Sequence, residues 1–213
     1  MGGIGIVRRL TACVLMMTLL LSGCQAGGAG ETPEEAALRV RDAYQEMAGW
    51  SAAVDVTAAV GDKVFDFSMD AQWWREGETV LTVTAPELLA GITARIAKGE
   101  TVLEYDGAGV SLGLLDGDGR TAVSAVTGIM EQIDKGYMAK CAWAGEEEQL
   151  LQITYREPER EPNTGTEYVL TFDRESGTLR SAEVSVAGET VLTAAVSNFT
   201  IEGTTQDDTG DHA

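Results

Sequence analysis

The 213 residues carry 34 Asp+Glu against 15 Lys+Arg, a formal net charge of −19 at pH 7, and 44% of them are hydrophobic. That is apolar enough for one domain with its own core, and too acidic to hold nucleic acid through phosphates or to settle on anionic headgroups by charge. The single histidine, His212, stands in a polar tail, which removes Ser-His-Asp and Cys-His catalysis and any histidine-based metal site.

At the N-terminus, Arg8 and Arg9 precede an apolar run from Leu10 to Leu21. A basic segment followed by an apolar stretch too short to span roughly 30 Å of hydrocarbon is the pattern of a signal peptide, here 1–23. Ser22 and Gly23 then present Cys24. Leu21-Ser22-Gly23-Cys24 resembles the lipobox of bacterial lipoproteins, in which the cysteine is acylated (a palmitate-type anchor) and becomes the mature N-terminus. The resemblance implies a protein held on the extracytoplasmic side of the cell membrane by acyl chains on Cys24. Residues 1–23 carry two of the basic residues and none of the acidic ones, so the mature chain is more acidic still and must rely on those acyl chains for its anchorage. With Cys13 removed and Cys24 committed to lipid, Cys141 stands alone, so no disulfide is expected in the domain. Cys141 itself reads as filler in a strand rather than as a reactive thiol.

Residues 24–31 form a short lipidated tether, and a domain is expected over 32–202. Thr32-Pro33-Glu34-Glu35 starts a helix, with Thr32 as cap, Pro33 at the first helical position and Glu35 closing a capping box. Ala36, Val40, Ala43, Tyr44 and Met47 recur at helical spacing, and Ala48-Gly49 is the expected stop. From Trp50 the period becomes two: Trp50, Ala52, Val54, Val56, Ala58 and Val60 share one face, and Gly61-Asp62 makes a hairpin turn. The return strand alternates Phe65, Phe67, Met69, Ala71 and Trp73 against polar residues. A third strand runs from Thr79 to Thr84 and stops at Pro86, and further strands are expected at 92–98, 101–105 and 110–115. Thr121–Lys135 is a second amphipathic helix, stopped by Gly136. Five more strands follow at 138–143, 150–156, 167–173, 179–186 and 191–201, and 203–213 is a disordered polar tail.

About eleven antiparallel strands in one sheet curl on themselves, and two amphipathic helices are available to cover the apolar face. The fold class is therefore α+β, an incomplete antiparallel β-barrel with helices on its concave face. The order of elements resembles the lipoprotein-carrier family of LolA and LolB: a capped helix, a meander with an aromatic second strand, a third strand ending in proline, then Lys98-Gly99-Glu100-Thr101-Val102-Leu103 and Tyr105 at the places of that family's short strand pair. It also resembles a related lipoprotein of spore-forming anaerobes, the germination lipoprotein GerS. The carrier resemblance implies a half-barrel enclosing an apolar cavity for the acyl chain of a lipid or lipoprotein, and the lipobox places the chain nearer the lipidated LolB branch. The germination resemblance implies instead an adaptor that binds a protein of the cortex-modifying machinery and no lipid.

Phe65, Phe67, Met69 and Trp73 of the second strand and Leu81 and Val83 of the third are the candidate cavity lining, with packing under the helices as the competing role for each. Leu88 and Leu89, after Pro86, are the candidate exposed apolar loop, which LolB carries at a comparable connection; a short core-facing turn is the other reading. Glu146-Glu147-Glu148 reads as a solvated turn. Asp116-Gly117-Asp118-Gly119 lacks the downstream ligands of a calcium loop and reads as a hairpin turn. No phosphate loop, cofactor or metal motif is present. The expected function is binding without catalysis, with an acyl chain, a lipoprotein or an envelope protein as partner and no nucleic acid.

Overall fold

The computed structural model describes residues 30–113 and 121–204. The chain divides after Thr32, and the described residues from Pro33 onward form one compact unit. Its elements are α1 (Pro33–Glu46), β1 (Met47–Val60), β2 (Lys63–Trp74), β3 (Thr79–Ala85), β4 (Thr93–Ala97), β5 (Glu100–Tyr105), β6 (Ala108–Gly113), α2 (Ala122–Lys135), β7 (Met138–Ala144), β8 (Leu150–Tyr155), β9 (Thr166–Asp173), β10 (Leu179–Val186) and β11 (Glu189–Thr204). The strands form one sheet in the order β6-β5-β4-β3-β2-β1-β11-β10-β9-β8-β7, antiparallel throughout. Two meanders thus meet at the β1–β11 ladder, and α2 carries the chain from one outermost strand to the other. An antiparallel sheet of this size whose outermost strands stay unpaired among the described residues, with the two helices described there, is the incomplete barrel expected from the sequence.

Pro33 sits at the first helical position of α1, with Glu34 and Glu35 in the first turn where the helix dipole favours them. The end of α1 departs from expectation. Ala48-Gly49 reads as a stop, yet the helix ends at Glu46 and β1 begins at Met47. Two ladders override the glycine, which pairs with Trp74 on one side and Glu202 on the other. A Cβ at Gly49 would lie 2.6 Å from both the Trp73 carbonyl oxygen and the Trp74 ring, so this glycine allows a close approach between strands. Arg75 closes the helix instead, donating from Nη2 to the Tyr44 carbonyl (2.5 Å) and from Nε to that of Met47 (3.2 Å).

The entry to α2 is a reciprocal cap: the Ser124 amide donates to Thr121 Oγ1 and the Thr121 amide to Ser124 Oγ, both at 3.0 Å. Gly136 ends the helix, its amide donating to the Gln132 carbonyl. Both helices lie on the sheet face that carries Trp50, Ala52, Val54, Val56 and Ala58, all buried. Val60, of the same parity, is 58% exposed because β1 runs out beyond the helices. β11 likewise reaches Thr204 rather than stopping at Ile201, since Met47 pairs with Thr204; residues 205–213 lie outside the described part.

The densest packing is in β8, β9 and β10, where Leu151, Ile153, Tyr155, Leu170, Phe172 and Val184 have no exposure. α1 packs on β7 and β8, and α2 on α1 and β9. Tyr44 of α1 sets its ring edge-on against Phe172, centroids 5.8 Å apart, and its hydroxyl accepts from the Leu179 amide at 3.0 Å. Burial pushes the Tyr44 hydroxyl well above the ordinary tyrosine pKa, so it stays neutral and serves as a fixed hydrogen-bonding group.

Candidate functional site

The place the sequence marks for a ligand is the seam between the helix-bearing sheet face and α2. Its walls are apolar: Trp50, Val56, Met69 and Leu192 from the strands, Val126 and Ile129 from the helix. The space left between them is about 30 Å3, the share of one water molecule. Pockets that take an organic ligand run to roughly 300–1,000 Å3. Among the described residues this seam leaves less room than that, as does the neighbouring space of about 210 Å3 between Tyr44, Trp73, Met130 and Ile133. The Trp50 indole N–H, which points into the seam, is satisfied by Met130 Sδ at 3.1 Å.

The six candidate lining residues separate by height along their strands. Met69 and Leu81 are 3% exposed and belong to the core. Phe67 and Trp73 are half-buried against it, and Val83 is half-buried. Phe65, two residues nearer the turn, is 48% exposed. Leu88 and Leu89 stand 86% and 40% exposed on the β3–β4 loop. Cys24 lies outside the described residues, as does Asp116-Gly117-Asp118-Gly119.

The two arginines of α1 do not face an interior space. Arg41 donates from Nε to the Ile133 carbonyl (3.0 Å) and from Nη2 to that of Gly136 (2.5 Å), and Gln45 donates to the Asp134 carbonyl (2.7 Å). A guanidinium at the last carbonyls of a helix meets the negative end of its dipole, so α1 clamps the C-terminal turn of α2 to the body. Arg39 donates to the Arg174 carbonyl on the β9–β10 turn. No pattern in the sequence signals this clamp, because its acceptors are backbone atoms nearly a hundred residues away. Cys141 is half-buried, and burial pushes its thiol up, reinforced by Glu34 and opposed by Arg41. A thiol held protonated is a poor nucleophile, in keeping with a packing role.

The face without helices holds an open trough of about 690 Å3 that crosses β8–β11, β1 and β2. Its lining includes the residues alternating with the core set: Thr57, Thr171, Ser181 and Thr193 along the floor, with Asp55, Asp66 and Glu183. Neighbouring hydroxyls satisfy each carboxylate, Thr57 to Asp66 and Ser68 to Asp55 at 2.6 Å, Thr190 to Glu183 at 2.8 Å. Among the described residues the trough is lined by no basic side chain, so it repels anions and gives no place to a lipid phosphate.

Exposed apolar side chains gather elsewhere. The registers put the β1–β2 hairpin, the β3–β4 loop and the β5–β6 hairpin at one end of the sheet. There Val60, Val64, Phe65, Leu88, Leu89 and Tyr105 are all at least 40% exposed. Of these, sequence reasoning singled out the two leucines and placed Phe65 inside. The missed signal was a valine on either side of a Gly-Asp turn, beyond the reach of a helix only fourteen residues long. Among the described residues no helix is long and apolar enough to cross a membrane.

No protein-family model and no curated protein matches this chain. Among solved structures it is similar to an uncharacterized conserved protein from Thermus thermophilus, at 10% identity and a TM-score of 0.48, over 82% of this chain and 90% of that one. It is also similar to a chain in the structure of the CwlD amidase from Clostridioides difficile in complex with the GerS lipoprotein, at 15% identity and a TM-score of 0.46, over 80% and 96%. A LolA superfamily protein from Nitrosomonas europaea is similar at 12% identity and a TM-score of 0.39, over 78% and 94%.

Proposed function

We propose that this chain is a lipid-anchored binding protein of the extracytoplasmic membrane surface that engages a protein partner on its outside, an adaptor rather than a carrier or an enzyme. The observation that carries this reading is the seam of about 30 Å3 under α2, which among the described residues leaves less room than an acyl chain needs. The lipobox-like Leu21-Ser22-Gly23-Cys24 supplies the anchor, and the acidic body keeps the domain off anionic headgroups. Cys24→Ser should leave the fold intact while moving the protein from the membrane fraction to the soluble exported fraction, or leaving it as uncleaved precursor. A Cys24→Ser chain that is processed normally and still sediments with membranes would show another anchor.

One observation favours the acyl carrier as a second reading. The seam is lined by apolar side chains alone, and the side-chain clamp from α1 reaches only the C-terminal turn of α2. If the other end swung out, the seam would become an apolar cleft. Native mass spectrometry of the mildly extracted protein separates the two. The adaptor reading expects the bare lipidated chain, and a stoichiometric lipid or lipoprotein retained by the Cys24→Ser chain would establish the carrier.

A further inference from the structure

We infer that the β1–β2, β3–β4 and β5–β6 tips form one docking surface for a basic protein segment with an apolar centre, an inference that rests on the adaptor reading. The three tips stand at the same end of neighbouring strands: Lys63 pairs with Val60, Thr93 with both Thr82 and Glu104, and Tyr105 with Ala108, the β1–β2 hairpin running on past the last β2–β3 pair at Ser68 and Ala85. The β3–β4 loop is stitched into place by reciprocal bonds, Val83 N–H to the Ile92 carbonyl (2.9 Å) and Gly91 N–H to that of Val83 (2.8 Å). Leu88 therefore stands out from a fixed turn, since the Leu89 and Ala90 amides both bond back to the Pro86 carbonyl. An exposed apolar cluster on a soluble domain marks a contact surface, whereas scattered single residues do not.

Charge says what kind of partner fits. Asp62, Glu87 and Asp106 stand on these tips with Lys63 as the one basic residue among them, and Glu104 beside them is held by Arg95 at 3.0 Å. The β8–β9 loop, at the same end of the sheet, adds Glu159 and Glu161, while its Arg160 is already held by Glu157 at 2.6 Å. A bilayer with anionic headgroups, or a second copy of this acidic chain, would bring like charge against the acidic rim. A lysine- or arginine-bearing segment with leucine-like residues at its centre meets both features at once.

The probe is an amphipathic Leu/Lys helical peptide of about 18 residues, titrated against the full chain carrying Cys24→Ser so that no acyl anchor competes for it. A Leu/Glu peptide of the same pattern and phosphatidylglycerol vesicles are run in parallel. The inference expects binding of the Leu/Lys peptide alone, and weakening of roughly tenfold or more in the charge-neutral double variant Leu88→Ser/Leu89→Ser with its urea midpoint unchanged. Phe65→Ser provides an independent reading should the double variant fold poorly. Equal binding by the parent and the folded tip variants would overturn the inference, reducing the effect to bulk acidity. Equal binding of the Leu/Glu peptide, or tip-dependent capture by the vesicles, would overturn it as well. A co-purified lipid in the mass spectrum defeats the adaptor reading itself; its absence, with no tip-dependent peptide binding, defeats only this inference.

Discussion

The two halves of the sheet are built alike and finished differently. In the wing β7–β11 every strand except the last is a neighbour of a helix or lies beside one that is, and its inward side chains reach zero exposure. The wing β1–β6 buries its inward residues too, Trp50, Val56, Met69 and Leu81 at a few per cent exposure, but its strands run out into tips carrying exposed Phe65, Leu88 and Tyr105. Helices fourteen residues long reach about 21 Å, which is not enough to roof both wings. The part of the sheet under the helices supplies stability, and the end of β1–β6 left bare is free to present a surface.

That division breaks first, if it is wrong, in the C-terminal wing. Phe172→Ala removes a fully buried ring from contact with Tyr44 and should cost about 3–5 kcal/mol in urea unfolding. A loss under about 1 kcal/mol would mean that the packing under the helices is not the stabilising part. Next comes Gly128 in α2, where a Cβ would lie 2.4 Å from the Tyr168 hydroxyl of β9. Gly128→Ala should destabilise by about 1–3 kcal/mol, against the gain of up to about 1 kcal/mol that alanine brings to an open helix position. A stabilised variant would show that α2 does not press on this wing as described.

The smaller effects compare turns. Asp173, at the β9–β10 turn, accepts from the Ser176 amide and hydroxyl and pairs with Arg180, and these hold its carboxyl below the usual range. A depressed carboxylate lends stability that is present above its unfolded pKa, about 3.9, and is lost as pH falls through the folded value. The gap in urea midpoint between the parent and Asp173→Asn should accordingly be present at neutral pH and close in acid; a gap that persists in strong acid would point to packing instead. Leu88→Ser, on the opposite wing's loop, should change stability by no more than about 0.5 kcal/mol in either direction. A larger loss would place Leu88 in the fold and remove it from the surface.

How much of this was legible beforehand depended on range. Alternation told correctly which side chains of β1 face inward, because burial of one face acts at every second residue. The start of α1 at Pro33 was readable from four residues, whereas the Thr121–Ser124 cap of α2 was not singled out. What failed was set by partners far along the chain. Gly49 looked like a helix stop until two ladders claimed it, and Val60 and Phe65 had inward parity but lie past the roof. The size of the seam lay beyond the reach of the sequence. Periodicity gives the face on which Phe67, Met69 and Leu81 point, but only the height of α2 above that face, fixed by Arg41 and Met130, decides whether the space is open or filled.

The sheet's first and last strands are partners at its centre, with Met47 beside Thr204 and Ala58 beside Leu192. Each wing can zip up from its own hairpins, but the join between them closes a loop of well over a hundred residues, the slowest kind of contact for a chain to find. A chain threaded out from its N-terminus cannot make that join until its C-terminus has followed. A cut that removed β11 would therefore split the sheet down the middle instead of trimming an edge.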